Sequence, residues 1–146
     1  MIVFYNSKLA KILTFFKGFK TIMFLGMLLT ENETLPEKTI KHEEAHALQY
    51  YDCMWVGATL AIILMFTLFA CGVQSLWMLL LILIPLSAFY ILYGVEWLIK
   101  WATTKDRLQA YKDVSFERHA RWISETWNRP CEEQHHYISF GWLKFM

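Results

Sequence analysis

The chain has 146 residues, enough for one domain, and 56% of them are apolar and 17% aromatic, more than a soluble core of this size requires. Lys+Arg 14 against Asp+Glu 13 leaves a formal charge of +1, so no strongly basic surface points to a nucleic-acid partner. Cys53, Cys71 and Cys131 are odd in number, far apart and in no CxxC pair. That argues against a disulfide framework or a cysteine zinc site and fits a reducing compartment.

Lys8, Lys11, Lys17 and Lys20 interrupt any apolar signal core, and no small-residue cleavage site follows Leu29, so residues 1–30 are expected to belong to the mature domain. Leu9, Ile12, Leu13 and Phe16 have the spacing of an amphipathic helix over 7–16, lying on the membrane or on the domain core. Residues 21–29 are apolar but too short to span a bilayer. With Gly18 before them and Glu31-Asn32-Glu33 after, they read as one short strand. Thr34-Leu35-Pro36-Glu37 has the form of a capping box and predicts a helix over 35–51. Nothing breaks that helix before Gly57, so it is free to run on into the segment that follows.

Between Asp52 and Glu96 lie 43 residues without a charge. The apolar pattern weakens once, at Gly72-Val73-Gln74-Ser75, which divides the run into two stretches of the ~20 residues that a ~30 Å hydrocarbon layer requires. A transmembrane hairpin is therefore expected, with helices over about 54–73 and 76–99. Trp55, Trp77, Trp97 and Trp101 fall at the ends of these spans, where headgroups lie. The connecting loop has no positive charge, whereas Lys38, Lys41, Lys100, Lys105, Arg107 and Lys112 flank the outer ends, which predicts that both ends are cytoplasmic. Pro85 predicts a kink in the second span. Beyond it, Leu108, Tyr111, Val114, Phe116, Ala120, Ile123 and Trp127 predict one or two amphipathic helices over about 108–127, ended by Asn128-Arg129-Pro130. The tail, 131–146, is aromatic and carries His135 and His136 without a predicted element.

The chemistry is concentrated in His42-Glu43-Glu44-Ala45-His46. Histidines four apart on a helix share a face and can take adjacent corners of one tetrahedral ion. Glu43 stands beside that face and can reach a water at the ion, the position of a general base in peptide hydrolysis. A histidine pair supplies two ligands, and a catalytic zinc needs a third from the protein. The hairpin returns the chain beside the His42 helix, which brings Glu117 into consideration.

Phe116-Glu117-Arg118-His119-Ala120 resembles the aromatic-Glu-x-x-Ala element of membrane gluzincins of the CAAX prenyl protease and heat-shock metallopeptidase type, which likewise place HExxH at the edge of a membrane helix. The resemblance covers about 25 residues in two pieces. It implies Zn2+ as cofactor, His42, His46 and Glu117 as ligands, and Glu43 as catalytic base. Arg121 stands where that family often has an aspartate. His119 is the rival third ligand, or an oxyanion donor. Two residues from Glu117 on a helix, it faces the opposite way, so the two are not expected to bind one ion together. Tyr111 and Tyr137 are further candidate oxyanion donors, and Gln49 either orients a ligand or substrate carbonyl or is an interfacial polar residue. His135 and His136 diverge and read as tail residues.

The expected architecture is a mainly α membrane protein, a single domain over 1–146 in which a zincin-like minimal fold is interrupted by a two-helix transmembrane hairpin and includes one short strand able to pair with an extended substrate. The expected function is zinc-dependent hydrolysis of peptide bonds in a peptide or membrane-protein substrate, at a cytoplasmic metal site. Two spans enclose little, so self-association or a larger membrane partner is also expected. Two other readings stay open: a catalytically silent zincin-like adaptor, disfavoured by an intact Glu43, and a small helical membrane protein in which HExxH is incidental.

Overall fold

The computed structural model describes residues 1–14 and 20–146. Phe16, Lys17 and Gly18, the end and boundary of the expected first helix, lie outside the described residues. The fold is mainly helical, with a small sheet packed beside a long antiparallel helix pair.

Strand β1, Ile2–Phe4, precedes helix α1, Lys8–Thr14, whose start is capped by Ser7 Oγ accepting from the Ala10 amide at 3.3 Å. Ala10 is buried, while Leu9 and Ile12 are exposed. The single strand expected over 21–29 is instead a hairpin, β2 Thr21–Phe24 and β3 Met27–Thr30, with β1 added in parallel on the far side of β3. The turn is the reason. Leu25 and Gly26 both have positive φ, 50° and 77°, as a two-residue hairpin turn with the twist of its strands demands. A side chain at Gly26 would also meet the Tyr51 hydroxyl, and the Leu25 amide donates to Tyr90 Oη at 2.8 Å, so the turn is seated on the helix pair.

Helix α2 runs unbroken over Glu37–Ala70, 34 residues. The expected capping box does not form: Pro36 is the N-cap, its carbonyl accepts from the Thr39 and Ile40 amides, and no side chain caps the end. After a turn at Gly72, the second long segment begins as a 3-10 helix, Leu76–Ile82, and continues as α3, Leu83–Thr104. Pro85 is therefore the third residue of α3, just past the change from 3-10 to α-helix. Both long segments are apolar enough to cross a membrane, and the last charge of α2 before its apolar stretch is Asp52. They cross closely at Gly57, where a Cβ would lie 2.8 Å from Pro85 Cα.

Lys105, in the left-handed region at φ 56°, ends α3. The stretch expected over 108–127 forms two helices, α4 Arg107–Asp113 and α5 Ser115–Ser124, because Val114 adopts an extended ψ of 132° between them. Leu108, expected on the inner face, is exposed. Arg121 spans the break, donating from Nε to the Glu117 carbonyl and from Nη2 to the Lys112 carbonyl. The tail folds back as two 3-10 turns, Cys131–Glu133 and Gly141–Phe145. The core is aromatic: Trp142 stacks on Phe116 at 4.2 Å, Phe116 meets Phe89 at 5.1 Å, and Phe89 meets Tyr50 at 6.1 Å. Each of these buried rings contributes on the order of 2 kcal/mol of apolar burial.

Candidate metal centre

Ala45, between the two histidines of the motif, and Ala120, three residues after Glu117, are both buried in one cluster with Ile123. Two methyl side chains at this contact let α2 and α5 approach closely, which carries Glu117 over the histidine face of α2. His42 Nε2 and His46 Nε2 lie 3.2 Å apart. Glu117 Oε1 is 3.1 Å from His46 Nε2, and its Oε2 is 3.4 Å from His42 Nε2. Zinc–ligand bonds of about 2.0–2.1 Å put neighbouring corners of a tetrahedron about 3.3–3.4 Å apart, close to the 3.2 Å between the two imidazole nitrogens, and one ligand atom from each of the three residues lies within 4.8 Å of the others. Among the described residues, His42, His46 and Glu117 form the one group of this kind that could hold a metal ion.

The ring nitrogens are also turned for coordination. Gln49 Nε2 donates to the Phe116 carbonyl at 3.1 Å, and a carbonyl can only accept, which fixes the amide orientation. The Gln49 oxygen then faces His46 Nδ1 at 2.8 Å, so that nitrogen carries its proton and Nε2 offers a lone pair to the centre. Burial disfavours a charged His46, but the Glu117 carboxylate outweighs it and pushes the imidazole up to about 9. Burial likewise raises Glu117, and the two imidazoles outweigh it, holding the carboxyl well below the usual carboxylate range. Without a metal, a proton stands where a cation would complete the site.

Glu43 is half-buried beside this cluster. Burial pushes its carboxyl up, and the nearby histidines pull against that rise. Tyr93 Oη donates to Glu117 Oε1 at 2.9 Å. Burial and the adjacent Glu117 raise the Tyr111 phenol, which therefore stays a neutral donor within reach of that carboxylate. These two phenols support Glu117 in a chain whose position 121 is an arginine.

His119 is fully buried and stands outside the group. Its Nδ1 accepts from Gln49 Nε2 at 3.2 Å, which leaves its proton on Nε2, where it has no partner among the described residues and Gly141 packs against it. It is thus linked to His46 through Gln49. Burial pulls its imidazole down, in keeping with a neutral ring. Tyr137 is engaged elsewhere, donating to Asp52 at 2.7 Å. His135 stacks on Trp122 at 3.9 Å, and with His136 it lines a cleft that none of His42, His46 or Glu117 reaches.

No protein-family model, curated protein or solved structure matches this chain. Two residues that shape the site, Tyr93 and Glu96, were hidden in or at the edge of the charge-free run. Their signal was their spacing: three apart on a helix, they share one face of α3.

Proposed function

We propose that this chain is a membrane-bound zinc peptidase whose metal is held by His42, His46 and Glu117. The observation that carries this reading is the convergence of the two imidazole Nε2 atoms, 3.2 Å apart, on the Glu117 carboxylate, whose Oε1 is 3.1 Å from His46 and Oε2 3.4 Å from His42, with His46 presenting Nε2 because Gln49 holds Nδ1. The likeness of the two short motifs to membrane gluzincins points the same way. A bound zinc supplies an acidified water and a Lewis acid for a peptide carbonyl. The chain's own residues supply the rest. Glu43, whose carboxyl burial pushes up from its ordinary value, takes the proton of the attacking water and returns it to the leaving amine. Tyr93 holds the Glu117 carboxylate in place, and Tyr111 provides a phenolic donor beside it. The substrate class is a peptide or membrane-protein segment near the membrane face, and the positive residues flanking the hairpin favour a cytoplasmic site.

The test uses the full chain in mild detergent with a fluorogenic, unstructured peptide. The expected result is hydrolysis that a chelator abolishes and added zinc restores, lowered about 10²–10⁴-fold in Glu43→Gln. Hydrolysis indifferent to Glu43→Gln, or none from zinc-loaded wild type in detergent and in bilayers, contradicts the peptidase reading.

A further inference from the structure

Helix α5 carries Glu117 as its third residue, yet it has no side-chain cap of its own, because Val114 occupies the N-cap position. Its first amide is satisfied from another helix. The Ser115 amide donates to Glu96 Oε1 at 2.8 Å, and Ser115 Oγ donates to Glu96 Oε2 at 2.6 Å. Glu96 is 9% exposed and the only charged residue between Asp52 and Lys100, and a carboxylate at that depth in an apolar helix has to be held by good donors. Here both of its oxygens are used on one residue. A carboxylate at a helix N-terminus also meets the positive end of the helix dipole, which strengthens the contact.

One turn earlier on the same face of α3, Tyr93 stacks on Phe116 at 6.0 Å and donates to Glu117. Phe116, Glu117 and Ser115 are thus all gripped by α3, with Glu96 fixing where the helix begins. Helix α5 starts directly after the extended Val114, where Arg121 ties its first turn back to the Lys112 carbonyl and Glu96 holds its first amide from α3.

We infer that Glu96 is a positioning residue: its carboxylate clamps Ser115 and so sets the place of Glu117 against His42 and His46. This inference rests on the metal-site reading above. Glu96 stands outside the group formed by His42, His46 and Glu117, and its effect runs through the first turn of α5.

The experiment measures zinc affinity by competition with a chromophoric chelator, and the visible spectrum of the cobalt-loaded full chain, for wild type, Glu96→Ala, Glu96→Gln, Ser115→Ala and Ser139→Ala. Ser139→Ala removes a tail contact to Asp52 away from α5 and controls for general loosening. Zinc affinity is expected to fall about tenfold or more in Glu96→Ala with an altered cobalt spectrum, and less in Glu96→Gln, which keeps an acceptor for the Ser115 amide. Ser115→Ala is expected to weaken binding modestly, and less so in the Glu96→Gln background, since the two changes remove the same contact. Ser139→Ala is expected to leave both readouts at wild-type values. Should Glu96→Ala fail to fold, Glu96→Gln and Ser115→Ala decide the matter. Wild-type affinity and spectrum in all Glu96 and Ser115 variants that fold overturn the clamp while leaving the metal site standing. Failure of wild type to bind zinc or cobalt overturns the metal site itself, and the clamp with it.

Discussion

At His46 the tautomer is chosen by Gln49, whose amide is in turn fixed by the Phe116 carbonyl and His119 Nδ1. This chain of hydrogen bonds links α2 to α5 through the ligand itself. Gln49→Leu removes the acceptor for His46 Nδ1–H and is expected to weaken zinc binding about tenfold in a chelator competition, with His46 free to place its proton on Nε2. Unchanged affinity would show that the ring is oriented by packing alone. His42, Glu43 and His46 were legible in the sequence because helical spacing is a local property and they needed only the period of one helix, whereas Glu117 was reached through the return of the hairpin and the resemblance of Phe116–Ala120 to a known element. Tyr93 and Glu96 were not legible, because what makes them matter is a partner in a different element, and a tyrosine or a boundary glutamate has many equivalent readings until that partner is known.

Among the elements, the two long apolar helices followed directly from the absence of charge between Asp52 and Glu96. What the pattern did not contain was how the backbone is locally closed: the 3-10 start of the second segment, the break at Val114 and the turn at Leu25–Gly26, which depend on contacts such as Tyr90 Oη with the Leu25 amide. The tail was opaque for the same reason. Its anchor is Asp52, which accepts from Tyr137 Oη at 2.7 Å, Ser139 Oγ at 2.6 Å and the Phe140 amide at 2.8 Å. Those donors lie more than 80 residues away in the chain. Asp52→Ala is expected to cost about 2 kcal/mol and to make the tail sensitive to limited proteolysis, with a lowered melting temperature as the accompanying readout. A tail that stays protected in this variant would mean that Trp142 stacking on Phe116 holds it alone.

At the scale of the whole molecule, two helices long and apolar enough to cross a membrane are joined to a His/Glu group that could hold a metal ion, and the proposed reading places that group at one membrane face. Two native cysteines make this measurable. Cys71, at the hairpin turn, and Cys131, in the tail, are both exposed, while Cys53 is buried. In sealed, oriented vesicles an impermeant maleimide is expected to label Cys71 from one side and Cys131 from the other, with Cys131 on the cytoplasmic side. Labelling of both from the same side would rule out the hairpin as a pair of spans. The measurement that bears most directly on the central claim is the metal content of the purified full chain by elemental analysis, in wild type, Glu43→Gln and His46→Ala. The account predicts close to one zinc per chain in the first two and almost none in the third; a wild type that holds no zinc even after incubation with it contradicts the account.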